Sequence, residues 1–393
     1  MRFYLNECGI ACPLGLGKAQ VARGLAAGQR ALSPRTGLVP GRSVAVGAVD
    51  APLPPSSPGL AALDSRNNRL MWAAVLEIQP AIAAAIEQYG RDRVAVVLGT
   101  STSGMSDGEE ALAQRRRDGQ WPAQFEYRQQ ECGSLSTFVA RALGLTGPAY
   151  TIATACSSSA KVLASARRLI RAGLVDAAVV GGADTLCKMT LNGFNALEAL
   201  SKDVCNPFSA NRDGINIGEG AAAFLLTTEP GAVELLGVGE TSDAHHATAP
   251  DPEGEGARAA MAEALADAHI GVEDIAYINL HGTATPLNDA MESKAIAALF
   301  SQSVPCSSTK SMTGHMLGGT GGVEAAFLWL TLNPDTTSGY LPPHVWDGVA
   351  DPKLPSLTMV APHTPLPNHL GLAMLSNAFG FGGSNVSVIL GRP

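Results

Sequence analysis

Short β-prone runs alternate with helix-length segments along most of this chain, and that rhythm limits the folds open to it. Arg93–Leu98, Asp176–Val180, Ala221–Leu226 and Ile275–Leu280 read as buried strands. Ser134–Leu143, Ala257–Ala268 and Asp289–Phe300 read as helices between them. Such alternation argues for an α/β body. The rhythm starts again in the second half, which places a boundary near Thr228–Gly239, although direct identity between the halves is too weak to mark a repeat. Ser65 to about Ala85 is expected to be helical, kinked or divided at Pro80. Leu32–Leu60, rich in proline, glycine and serine, reads as an irregular surface connection, and Leu191–Gly220 as a loop. Two further strands, Leu372–Leu375 and Asn385–Leu390, flank a glycine-rich turn.

One strand runs into a cysteine. Tyr150–Ala153 leads through Thr154 and Ala155 to Cys156, and a small-residue segment ending at Arg168 reads as a helix beginning immediately afterwards. That layout exposes a thiol at a tight turn, beside free backbone N–H groups and the positive end of a helix. Both favour thiolate over thiol. The local pattern leaves Cys156 open between a nucleophile and an ordinary small buried residue, since cysteine is often buried.

Composition removes several classes of function. Few aromatics (5%) argue against a base-stacking surface, and a net charge of -8 gives no reason to expect nucleic acid or an anionic membrane as partner. Seven scattered cysteines, an odd number, fit a reducing cytosol. Cys8 and Cys12 lack the further ligands of a zinc site, as do His245 and His246, for which a loop or interface role is expected, so no metal is predicted. The first residues lack the apolar core of a signal peptide, and no apolar run reaches membrane-span length. The expectation is a soluble, cytoplasmic protein. Arg115-Arg116-Arg117 reads as a solvated helix face, with a docking surface for an acidic partner as the other reading.

Three later stretches carry groups suited to chemistry at Cys156. They are His281-Gly282-Thr283-Ala284-Thr285, Lys310 through His315 with Glu324 downstream, and Phe379-Gly380-Phe381-Gly382-Gly383-Ser384-Asn385. Histidines at strand or loop ends can donate hydrogen bonds to a carbonyl oxygen, and glycine-rich turns bring backbone N–H groups close to it.

Together with Thr154-Ala155-Cys156-Ser157-Ser158, and in this order, these stretches resemble the elongating β-ketoacyl-acyl-carrier-protein synthases of the thiolase superfamily. The resemblance implies a five-layered body of two pseudo-symmetric αβαβα halves, 1–230 carrying the cysteine and 231–393 carrying both histidines. It implies that Cys156 forms an acyl-enzyme, which condenses with malonyl-carrier protein after loss of carbon dioxide. His281 and His315, as neutral imidazoles, would hold the malonyl thioester oxygen. The backbone N–H groups of Cys156 and Phe381 would form the oxyanion hole. Lys310 and Glu324 would support the histidines, and Thr283 and Thr285 would contact the pantetheine arm. Phe194, Phe379 and Phe381 would gate or line the acyl pocket.

The same resemblance implies no permanently bound cofactor, substrates carried on the phosphopantetheine of an acyl carrier protein, and a homodimer. A heterodimer with a chain-length-factor-like subunit is the chief alternative. The chain itself could be such a noncatalytic partner, but that form replaces its nucleophilic cysteine, and Cys156 is present. A degradative thiolase would carry Cys-His-Cys in place of Cys-His-His. The setting of Ala284 and Asn288 would fit a branch specialised in polyketide or aryl-polyene synthesis.

Overall fold

The computed structural model describes residues 1–56, 59–300, 304–367 and 371–393. Its N-terminal half contains β1 (Tyr4–Cys12), β2 (Gly15–Leu16), α1 (Lys18–Ala26), β3 (Ser33–Val39), β4 (Arg42–Val46), α2 (Arg66–Glu77), α3 (Gln79–Tyr89), β5 (Val94–Gly99), α4 (Met105–Asp118), α5 (Ser134–Leu143), β6 (Ala149–Ile152), α6 (Ser158–Arg171), β7 (Ala177–Asp184), α7 (Lys188–Ala196) and β8 (Gly220–Thr227). The remainder contains β9 (Glu234–Ser242), α8 (Glu255–Ala268), β10 (Ile275–Asn279), α9 (Pro286–Phe300), β11 (Pro305–Ser307), α10 (Lys310–Thr313), α11 (Thr320–Leu332), β12 (Thr358–Met359), β13 (Ala373–Gly380) and β14 (Ser384–Gly391).

The topology states the repeat that the sequence hides. Strand order is β6-β5-β7-β8-β1 in one half and β11-β10-β13-β14-β9 in the other, with β12 added outside β11. In both, the first three strands are mutually parallel and the last two pair antiparallel. The halves join where Tyr4 of β1 pairs with Glu234 of β9. Helices α6 and α11, each following the outer parallel strand of its half, form the central layer. All thirteen residues of α11 are buried. Apolar residues from α6, α11 and the facing strands make the central core, while α2, α3 and α5 cover one outer face and α8 and α9 the other. This is the thiolase-like, five-layered α/β fold. No single described helix is long and apolar enough to cross a membrane.

The close meeting of β5 with α6 depends on Gly99. A Cβ there would lie 2.4 Å from the Ser159 backbone nitrogen, so any larger residue would push the first turn of α6 away from the sheet.

Two local expectations need correction and a third is met. Leu32–Leu60 is not wholly irregular, because β3 and β4 form a hairpin whose Val39, Val44 and Val46 are buried; Ser57 and Pro58 lie outside the described residues. The helix expected from Ser65 is divided as anticipated, into two helices bent by 74° at Ile78, with Pro80 in the first turn of the second, where its missing N–H costs nothing. The segment from Leu191 begins inside α7 before it becomes a loop.

Candidate active site

Cys156 sits between β6 and α6, and His315 between β11 and α11, which are equivalent places in the two halves. Each is therefore delivered by the turn that enters one of the two central helices. The Cys156 turn is strained. Ala155 has φ 52°, a conformation costly for a residue with a Cβ. It is held by the serines that follow: Ser158 donates to the Ala155 carbonyl through its N–H (3.2 Å) and its hydroxyl (2.6 Å), and Ser157 Oγ donates to the Thr154 carbonyl at 2.8 Å.

The His315 Nε2 atom lies 3.1 Å from Cys156 Sγ. Across the same space stands His281, its ring edge-on to His315 with centroids 5.2 Å apart. The three donor atoms lie within 4.8 Å of one another, and all three residues are buried. Among the described residues this is the one Cys/His/carboxylate group close enough to hold a metal ion. The loop of His281 is pinned by Glu292 of α9, which accepts the N–H groups of His281 and Gly282 at 2.7 Å each. The β13–β14 turn closes the site from the other side. A Cβ on Gly380 would meet the Thr154 carbonyl oxygen at 3.0 Å and Cys156 N at 3.3 Å, so a larger residue would force this close turn to give by a few tenths of an ångström. The Phe381 backbone N–H thereby reaches the cysteine sulfur.

Burial dominates the electrostatics. It pushes the Cys156 thiol up to about 11, against the opposing pull of the Phe381 N–H and the Lys310 charge. The expectation of a thiolate favoured by the turn is thus corrected: the resting group is a thiol, because late segments of the chain bury it. Burial also holds His281 and His315 well below the usual histidine range. Lys310 lowers both further, and His315 lowers His281. Both shifts favour the neutral rings that the resemblance implies. Lys310 and Glu324 form a buried pair with Nζ 2.7 Å from Oε1.

A cavity of about 280 Å³ opens over this group, and Thr283, Thr285, Phe194, Phe379 and Phe381 all line it. The rings of Phe194 and Phe381 stand 5.5 Å apart. Phe379 packs against His281 at 5.8 Å. Every site residue named from the sequence therefore belongs to this cavity or, for Lys310 and Glu324, to the pair whose charge acts on it. His245 and His246 do not. They lie in an exposed turn in which His246 Nδ1 accepts the N–H groups of Thr248 and Ala249. Arg115–Arg117 form the exposed last turn of α4, and Arg115 stacks 4.6 Å over Trp121.

Four functional neighbours escaped the sequence reading. Glu292 holds the His281 loop. Asp289 accepts the Ala284 and Phe208 N–H groups at 3.1 and 2.7 Å. Asp184, at the end of β7, accepts from the Ser101, Thr102 and Gly318 N–H groups and the Thr100, Ser101 and Thr102 hydroxyls, tying the loop after β5 to the His315 loop. Thr320 Oγ1 lies 2.9 Å from His315 Nδ1. An acidic residue eight or eleven places after a histidine is a weak signal, and Thr320 gave none.

Fold and site together define a condensing enzyme of the thiolase superfamily. The family described as beta-ketoacyl synthase, N-terminal domain, matches residues 46–232, and its C-terminal domain matches 232–345. The 3-oxoacyl-[acyl-carrier-protein] synthase 2 of Staphylococcus aureus (strain COL) is 34% identical over 345 residues, covering 82% of each chain. A chain of the ketosynthase ApeO in complex with its chain length factor ApeC, from Xenorhabdus doucetiae, is 45% identical with TM-score 0.95, covering 100% of this chain and 98% of that one. A beta-ketoacyl synthase from Burkholderia phymatum STM815 is 25% identical with TM-score 0.88, covering 100% and 99%. The chain belongs to the beta-ketoacyl synthase family, and Cys156, His281 and His315 are its Cys-His-His triad.

Proposed function

We propose that this protein elongates carrier-bound acyl chains by decarboxylative condensation. Cys156 Sγ bonds to the carbonyl carbon of an acyl thioester carried on the phosphopantetheine of an acyl carrier protein, and the pantetheine sulfur leaves with the proton. The N–H groups of Cys156 and Phe381 hold the carbonyl oxygen during that exchange, and comparable donors are worth about 3–4 kcal/mol. Malonyl-carrier protein then loses carbon dioxide, and His281 and His315 donate to its thioester oxygen as charge develops there. The resulting carbon attacks the acyl-enzyme, forming the C–C bond of a β-ketoacyl-carrier protein and releasing the cysteine sulfur. The Lys310 charge, held in place by its ion pair with Glu324, keeps the histidines unprotonated. Thr283 and Thr285 bind the pantetheine arm, and Phe194, Phe379 and Phe381 line and gate the acyl pocket.

The observation that carries this reading is the convergence of a buried thiol, two neutral imidazoles and the Phe381 N–H on one cavity. The reading calls for no resident cofactor, places the enzyme in the cytoplasm, and divides the chain into functional halves 1–230 and 231–393. It expects a homodimer. A heterodimer with a chain-length-factor-like subunit is the second assembly, favoured by the ketosynthase–chain length factor complexes among the similar structures.

Intact-mass analysis with a panel of acyl-carrier proteins, followed by malonyl-carrier protein, tests it. An acyl adduct lost in Cys156→Ala, then a β-keto product, is expected. No adduct across the panel, alone or with a chain-length-factor-like partner, would remove the catalytic reading.

A further inference from the structure

We propose that Thr320 is a positioning residue for His315: its hydroxyl donates to Nδ1 and thereby keeps the ring proton on Nε2, the nitrogen that faces Cys156. The inference rests on the condensing function above, and it assigns a role to a residue that neither the sequence motifs nor the triad includes.

The argument is one of hydrogen-bond accounting. Thr320 is fully buried, and so is His315. A buried hydroxyl has one proton to place and needs an acceptor for it. Among the described residues, the partner of Thr320 Oγ1 is His315 Nδ1, at 2.9 Å. A proton on Nδ1 would make the ring the donor and leave the threonine O–H with no acceptor among the described residues. With the hydroxyl donating, both groups are satisfied, and a neutral imidazole must then carry its single N–H at Nε2. Burial and the Lys310 charge keep the ring neutral, so no second ring proton is on hand to change this.

The consequence is functional. Nε2–H points to the space shared by Cys156 Sγ, 3.1 Å away, and the cavity, where a thioester oxygen would be held. Nδ1, the one ring atom still able to take a proton, faces the threonine and not the substrate. His315 is therefore committed to donating and withheld from acting as a base at Nε2. His281 shows no such device: among the described residues its buried Nδ1 has no hydrogen-bond partner. The two histidines of one site are thus held differently.

The test compares Thr320→Val, which keeps the shape and removes the hydroxyl, with Thr320→Ser, which keeps the hydroxyl. Acyl-enzyme formation on Cys156 and condensation with malonyl-carrier protein are measured separately, and ring-nitrogen NMR of histidine-labelled protein reports the tautomer. In Thr320→Val, acylation should stay close to wild type while condensation falls about 10- to 100-fold, the scale of a mispositioned group. Thr320→Ser should restore condensation. In wild type the His315 signal should show a protonated Nε2 and a bare Nδ1, and Thr320→Val should show a mixture. Condensation unchanged in the valine variant, equal loss of both half-reactions without rescue by serine, or a protonated Nδ1 in wild type would each overturn the proposal. If wild type forms no acyl-enzyme, the functional reading fails, and the NMR signal still decides the role of Thr320.

Discussion

Replacing Lys310 by methionine should cost stability in a pH-dependent way and should move the acid limb of condensation. The side chains of Lys310 and Glu324 are each 1% exposed, with Nζ 2.7 Å from Oε1. Removing one partner of such a pair strands the other charge and costs about 3–5 kcal/mol. Glu324 can escape by taking a proton. Burial already pushes its carboxyl upward, Lys310 is what holds it back, and without the lysine it rises further. A carboxyl raised in the folded state gives stability that is complete below its unfolded value and lost as pH rises through its folded value. The deficit of Lys310→Met should therefore be small near about pH 5 and approach its full size near about pH 8. Lys310 also lowers His281 and His315, so its removal should bring both back toward the ordinary histidine range. On the proposed mechanism condensation needs them neutral, so its acid limb should move to higher pH. The double variant Lys310→Met/Glu324→Leu should regain most of the stability, because an apolar pair can replace a buried ion pair, and yet keep the shifted limb. Urea unfolding at both pH values and a pH–rate profile read the two effects separately. Equal deficits at both pH values, or a double variant with the wild-type limb, would refute the reasoning.

Gly99→Ala places a Cβ 2.4 Å from Ser159 N, which should lower stability by about 1–3 kcal/mol or more and slow acylation of the displaced Cys156, read by thermal melting and adduct formation. Asp184→Asn sets an amide N–H₂ among donors that now all meet carboxylate oxygens; about 1–3 kcal/mol is expected for each donor left unpaired, and a variant with wild-type urea stability would contradict this. Iodoacetamide labelling of Cys156, mapped by mass against Cys156→Ala, should climb with pH toward the thiol's value of about 11, whereas a plateau near neutrality would show a resting thiolate.

The strands were legible because they are short apolar runs, and the Cys156, His281 and His315 loops because strand ends and glycines mark them. The β3–β4 hairpin was hidden by prolines and glycines around Val39, Val44 and Val46, whose burial against Leu191, Ile215 and Ile217 is a tertiary event. Glu292 and Asp289 read as the polar side of a helix, and only the packing of α9 under the His281 loop turns them inward. Thr320 reaches back to His315 because the chain between them turns through Leu317 at φ 47°, a conformation no residue type announces. The Cys156 thiol was misjudged for the same reason. A local turn argues for thiolate, but the groups that bury the sulfur, His315 and the Gly380–Phe381 turn, come from far along the chain.

On the proposed mechanism, a neutral thiol beside a neutral imidazole would also order the two half-reactions. On the tautomer proposed above, with Sγ 3.1 Å from Nε2, the free cysteine and an incoming thioester oxygen would compete for one N–H. As long as Cys156 is unacylated, its sulfur can occupy that donor. Acylation would turn the sulfur into a thioester, a poorer acceptor, and free Nε2–H for the malonyl carbonyl just when a partner for the coming carbanion exists. The Lys310 charge works in the same direction at both stages, because it eases thiol ionisation during acyl transfer and keeps both histidines neutral for the second step. Decarboxylation before acylation should accordingly be slow. Carbon dioxide release from malonyl-carrier protein should rise once Cys156 carries an acyl group, and equal release by free and acylated enzyme would show that the sulfur does not hold this donor.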